Sequence, residues 1–239
     1  MTQDVVLAEG LRGVRSRIDA ACLRSGRSLD EVTLVAVTKT VPSERIAAAV
    51  ALGVRDVGEN RVQEMLDKQR ALVGIEARWH FIGTLQRNKV GAIVGRTVLV
   101  HGIDSVRLAR ALAARAEAAG VRQDVLVEIN VSGESSKHGV LPSEALRVAV
   151  DVASLSSLRL RGLMTMAPAG DPAMARRAFA GLRELRDLIA REVDGVQELS
   201  MGMSGDFEIA VEEGATVVRV GSAIFGARVV PERREPEWG

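Results

Sequence analysis

The sequence predicts a single (β/α)₈ barrel of the α/β class, preceded by an extra N-terminal helix. Three observations carry this. The 239 residues are the length of one barrel and enough to bury a full core. Short β-rich apolar runs alternate with longer amphipathic stretches, the pattern of parallel βα units rather than hairpins. The apolar runs number eight, which closes a barrel.

The elements follow in chain order. Leu7, Leu11, Val14, Ile18 and Cys22 recur at helical spacing among charges, so residues 1–30 form an N-terminal helix. A secretory signal would need an unbroken apolar stretch there, and the protein is expected in the cytoplasm. The expected strands are Val32–Thr38, Asp56–Gly58, His80–Gly83, Val98–Ile103, Val125–Val131, Gly162–Met166, Glu198–Gly202 and Val217–Val220. Between them lie helices such as Ser105–Ala119, with Val106, Leu108, Ala109, Leu112 and Ala116 on one side. Another spans Pro172 to Val193, where Ala175, Phe179, Leu182, Leu185 and Ile189 face inward and four arginines face solvent. No linker divides the chain, so residues 31–228 are one barrel domain and 229–239 a tail. An open doubly wound sheet is the alternative, but the glycine-rich dinucleotide fingerprint is absent after the first strand.

Composition narrows the function. Hydrophobic residues make up 47% and charged residues 26%, ordinary for a globular protein and too polar for a membrane protein. A net charge of +1 provides no field to gather nucleic acid or an anionic membrane, so a small ligand is expected. The chain is expected to be a monomer. The one cysteine, Cys22, is read as a buried thiol. His80, His101 and His138 stand apart in sequence without metal-ligand spacing, and no metal is expected.

In a barrel, functional groups project from the C-terminal ends of strands. Lys39 directly follows Val35-Ala36-Val37-Thr38, at the mouth of an expected apolar barrel where desolvation favours a neutral, nucleophilic amine. Gly202 to Asp206 follow the seventh strand, and Gly221-Ser222 follow the eighth. Loops at these two places commonly bind phosphate, with glycines allowing close approach and Ser204 and Ser222 adding hydroxyl donors. Arg219 is a charge inside an apolar strand and needs an acceptor, either a carboxylate or a ligand. Asn60 and Asn130 are weaker polar intrusions near strand ends. A strand-one lysine with a late phosphate site suits either a Schiff-base aldolase acting on a sugar phosphate or a protein of pyridoxal 5′-phosphate (PLP).

The literal strings decide between them. VAVTKTVP around Lys39, GENRVQE from Gly58, WHFIGTLQRNK from Trp79, IDSV from Ile103, EINVSGESSKHG from Glu128, GLMTMAP from Gly162 and LSMGMSGDFEIAVEEGATVVRVGSAIFGAR from Leu199 span nearly all of the chain. Through them the sequence resembles the pyridoxal phosphate homeostasis protein family, stand-alone relatives of the alanine racemase barrel domain. The resemblance implies PLP bound as a Schiff base to Lys39, with Asn60 beside the ring, Arg219 facing the pyridine nitrogen, and Ser204, Gly221 and Ser222 on the phosphate. It implies a role in PLP homeostasis without an established reaction, with apo PLP-dependent enzymes as recipients. The enzymatic alternative is a PLP-dependent racemase. Racemases of this kind use a tyrosine on a further C-terminal domain; this sequence has no tyrosine, and racemase activity is expected to be absent. In GENRVQE, Arg61 stands where the family often carries tyrosine.

Overall fold

Eight parallel strands close into one barrel in the order β1 to β8, β8 pairing back onto β1. A computed structural model of the chain describes residues 3–131 and 138–226. The strands are β1 Thr33–Val37, β2 Asp56–Glu59, β3 Arg78–Phe81, β4 Leu99–Ile103, β5 Gln123–Glu128, β6 Leu158–Met164, β7 Glu198–Ser200 and β8 Val217–Val220. The helices are α1 Gln3–Arg24, α2 Ser43–Ala51, α3 Val62–Ala71, α4 Val90–Ile93, α5 Val106–Ala118, α6 Ala145–Ala153, α7 Pro172–Ile189, α8 Phe207–Glu212 and α9 Ser222–Phe225. Residues 132–137 of the EINVSGESSKHG stretch, and the expected tail with the last residues before it, lie outside the described residues.

Local sequence explains the better-defined boundaries. Asp171 caps α7, its carboxylate accepting from the N–H groups of Ala173 (2.8 Å) and Met174 (3.1 Å), with Pro172 at the first helical position. Ser105 caps α5 by accepting from the Leu108 N–H. β6 starts at Leu158, not at Gly162 as expected. Arg159 and Arg161 disguise that first half by breaking the apolar run, and Arg159 is held there by a bidentate pair to Asp124 at 2.7 and 2.8 Å. β7 stops at Ser200 because Gly202, at φ +93°, turns the chain away into the next loop.

The strands alternate faces. Outward-facing Ala36, Val57, Phe81, Val100, Val125, Leu163, Leu199 and Val218 join the helices in one large core. Helix α1 completes the helical ring between α2, α8 and α9. Leu7, Leu11, Val14 and Ile18 are each no more than 2% exposed, and burying each contributes on the order of 1.5–3 kcal/mol. That outweighs the surface pairs Arg17–Glu208 and Arg24–Glu212, each of which is of the class that contributes about 0.2–1 kcal/mol. Gly10 allows the closest approach: a Cβ there would lie 2.7 Å from the Ile224 carbonyl oxygen of α9.

The barrel interior is not the apolar filling expected. A small cluster of Leu99, Leu126 and Met164 shares it with Asp56, His80, His101, Ser200 and Arg219, all 5% exposed or less. These polar residues sit at inward positions on β2, β3, β4, β7 and β8, and each finds a hydrogen-bond partner among the others, which makes their burial tolerable. His80 and His101, apart in sequence, are 2.9 Å apart between ring nitrogens. Among the described residues no group of three or more His, Cys, Asp or Glu is arranged to hold a metal ion.

Candidate binding site at the barrel mouth

Val35 and Val37 face into the barrel, and the same alternation aims Lys39 at its C-terminal mouth. The lysine is clamped from both sides. On one side Lys68 Nζ of α3 donates to the Thr38 carbonyl oxygen at 2.7 Å; on the other the Thr40 N–H donates to Glu64 Oε1 at 2.5 Å. Thr40 is the one non-glycine residue at positive φ (+65°) among the described residues, a conformation that needs such outside support. Lys68 also donates to Glu59 Oε1 and Glu64 Oε1, both at 2.7 Å, and Thr38 Oγ1 donates to Glu59 Oε1 at 2.6 Å. Burial pushes the Glu59 carboxyl above its ordinary value, against the hydrogen bonds from Lys68 and Thr38.

Across the mouth, the loops after β7 and β8 meet. Ser204 Oγ accepts from the N–H groups of Gly221 (3.2 Å) and Ala223 (3.4 Å), which ties one loop to the other. Asp206 Oδ1 accepts from the Met203 N–H at 2.6 Å and shapes the first loop. Glycine is required at Gly202 and gives a close fit at Gly221. A Cβ on Gly202 would come within 2.5 Å of the Ala210 Cβ, and one on Gly221 within 3.3 Å of the Val37 carbonyl oxygen.

Between Lys39 and these loops lies a cavity of about 510 Å³, within the usual range for small-molecule sites. Lys39, Ser204, Arg219, Gly221 and Ser222 all line it, so five of the six residues expected to bind a cofactor converge on one space. Asn60 does not line it. It ends β2 where the chain runs against β3 so closely that a Cβ on Gly83 would lie 2.3 Å from the Asn60 carbonyl oxygen. Arg61 is exposed at the start of α3. Asn130 is buried beyond the end of β5.

Arg219 is 5% exposed and donates to Ser200 Oγ and to the Thr165 carbonyl oxygen, the latter at 2.9 Å. Burial lowers its pKa to about 10, while Glu128 and Asp206 act to raise it. It therefore remains a cation at neutral pH, and neither of its two acceptors is a carboxylate, unlike the ion pair the sequence left open. A second cation in the wall was not anticipated. Arg45 of α2 stacks its guanidinium 5.7 Å from the Phe225 ring centroid, with its Nε buried and unbonded. Nothing in SERIAAAV separates this arginine from a solvated one, since its role arises only when α2 and α9 close around the cavity.

Relatives place this arrangement. The chain matches the family of the alanine racemase N-terminal domain over residues 16–229. It is 45% identical over 222 residues to the pyridoxal phosphate homeostasis protein of Aquifex aeolicus, covering 92% of this chain and 97% of the relative. Among solved structures, PipY of Synechococcus elongatus with PLP bound superposes with a TM-score of 0.81 at 33% identity, covering 92% of this chain and all of that one. The alanine racemase of Corynebacterium glutamicum shares the fold, with a TM-score of 0.75 at 17% identity over 96% of this chain and 63% of its own. By the length and level of these matches, the chain belongs to the pyridoxal phosphate homeostasis protein family.

Proposed function

We propose that this chain binds PLP at the barrel mouth and serves in PLP homeostasis, holding the cofactor on Lys39 and releasing it to apo PLP-dependent enzymes. The observation that carries the reading is the convergence of an amine, a buried cation and the Ser204–Gly221–Ser222 loops on one cavity of about 510 Å³. The residues fit the group. Ser204 and Ser222 supply hydroxyl donors suited to a phosphate, and the Gly221 N–H, which meets Ser204 Oγ at 3.2 Å, joins them by turning to the phosphate. Bound PLP supplies an aldehyde for a Schiff base and a ring that withdraws electrons.

Arg219 holds a fixed positive charge against the ring nitrogen and so disfavours a proton there. A neutral ring is a weak electron sink, which suits storage better than carbanion chemistry. The experiment is direct: the purified protein is expected to carry a visible absorbance band that borohydride bleaches while fixing the cofactor to the chain. A Schiff-base aldolase would lack the band and cleave sugar phosphates instead.

Two expectations follow from the same site. Ser204→Ala and Ser222→Ala each weaken PLP binding by about 1.5–3 kcal/mol, the loss of one charge-assisted hydrogen bond. Titration of apo-protein with PLP measures this, and unchanged affinities in both variants would remove the phosphate assignment. The loaded protein has no racemase activity above free PLP, because racemisation needs an acid/base group on each face of the α-carbon. The sequence has no tyrosine. Of the histidines, His80 is locked inside the barrel and His138 is exposed beyond β5. Solvent deuterium incorporation into alanine with chiral analysis checks it; stereoinversion on turnover would establish an enzyme.

A further inference from the structure

A hydrogen-bonded chain of buried side chains runs through the barrel interior from Arg219 at the cavity to Asp56 at the start of β2. Arg219 Nη1 meets Ser200 Oγ; Ser200 Oγ meets His101 Nδ1 at 2.8 Å; His101 Nε2 meets His80 Nδ1 at 2.9 Å; His80 Nε2 meets Asp56 Oδ1 at 2.8 Å. Arg78 closes the far end on Asp56 Oδ2. The two rings stand at 62° to each other, so each edge nitrogen points at its neighbour.

The two ends dictate the direction of every bond between them. A guanidinium can only donate and an ionised carboxylate can only accept. Arg219 fills one lone pair of Ser200, and with both rings neutral a chain that ends on the Asp56 carboxylate sends the serine hydroxyl proton to His101 Nδ1. That nitrogen must then be bare, so His101 carries its proton on Nε2 and donates to His80 Nδ1. His80 in turn carries its proton on Nε2 and donates to Asp56. Both rings are neutral in this arrangement; for His101 that agrees with its complete burial and the nearby Arg219 charge, which hold its pKa well below the ordinary value. The Asp56 carboxylate is kept ionised by its bonds to His80 and Arg78, which outweigh its burial.

We infer that Ser200, His101, His80 and Asp56 are positioning residues that form a one-directional relay, fixing the Arg219 guanidinium at the cavity wall and linking it to a carboxylate at the start of β2. The inference rests on the proposed placement of the PLP ring nitrogen against Arg219. Donation in one sense along the whole chain polarises each bond in turn and strengthens the Arg219–Ser200 contact. A buried arginine bonded to two neutral acceptors is thereby given an anion at four bonds' remove, without a carboxylate in the cavity that would repel phosphate.

The test reads tautomers first. Nitrogen NMR of ¹⁵N-histidine-labelled protein should show His80 and His101 both protonated on Nε2 only, with and without PLP; an Nδ1–H form at either would overturn the relay. In Asp56→Asn, Arg78 holds the amide oxygen and the amide nitrogen turns to His80, so both tautomers should invert. Ser200→Ala cuts the relay beside Arg219. It should weaken PLP binding roughly three- to tenfold, the scale of one hydrogen bond, and shift the cofactor absorbance, while Ser200→Thr restores both. If Arg219→Lys alters the cofactor spectrum but Ser200→Ala and Asp56→Asn do not, the relay has no hold on the cofactor and the inference fails alone. If Arg219→Lys also leaves spectrum and affinity unchanged, the ring placement fails and takes the relay's role with it.

Discussion

Lys39→Ala is expected to abolish the visible band of the PLP-loaded protein and to leave borohydride with nothing to fix. Lys39 is the one lysine lining the cavity among the described residues. Lys68 of α3 has its Nζ committed to Glu59, Glu64 and the Thr38 carbonyl. Non-covalent binding should persist, weakened by at least about tenfold or roughly 1.4 kcal/mol. The phosphate loops are held by Ser204, Asp206 and the glycines rather than by the lysine. Absorbance and intact mass after borohydride read the covalent link, and fluorescence titration reads the residual affinity. A band that survives in the variant would move the linkage elsewhere and end the assignment.

Much of this was legible in the sequence, because a barrel writes its rules along the chain. Alternating runs located all eight strands, and the rule that chemistry sits at strand C-termini singled out Lys39, Ser204, Gly221 and Ser222 without a structure. Arg219 was visible as a charge in an apolar strand. What could not be read was which residues face one another across the barrel. Asp56, His80, His101 and Ser200 belong to four strands far apart in sequence, and only barrel closure brings them into line. Each is a polar residue at an inward strand position, as Arg219 is, but Glu59, Arg78 and Glu198 make β2, β3 and β7 polar elsewhere too, so these positions do not stand out in the sequence. Asn60 shows the opposite limit. Its motif is specific, yet Asn60 is not among the residues lining the cavity. Lys68 carried no signal, because an i, i+4 pair with Glu64 on a helix reads as a solvated ion pair.

That reading of Lys68 leads to the second large effect: Lys68→Met should destabilise the fold by about 3–5 kcal/mol, the range for breaking a buried ion pair by removing one partner. Side-chain exposure is 9% for Lys68 and 0% for Glu59, so the remaining carboxylate cannot recover its hydration. Glu59 Oε2 is already buried without a hydrogen-bond partner, and loss of Lys68 would leave Oε1 with only Thr38. In a protein of this length the melting temperature should fall by about 6–20 °C. The pH dependence carries the diagnosis. Burial already raises the Glu59 pKa, and removing its cation raises it further. A folded-state value above the unfolded one means that the folded chain binds the proton more tightly. Stability from this group is then present below the unfolded pKa and lost as pH rises through the folded pKa. The deficit of Lys68→Met relative to the parent should therefore shrink on acidification through the carboxylate range. Adding Glu59→Gln should recover most of the loss at neutral pH, since an uncharged group no longer needs the ammonium. PLP retention should fall in Lys68→Met by more than in the double variant, because the strained Thr38–Lys39–Thr40 turn relies on this cluster to hold its lysine in place. Melting curves for the two variants at neutral and acidic pH, each with PLP titrated in, check both effects. A deficit that does not change with pH would mean that Lys68 stabilises by packing and not by charge.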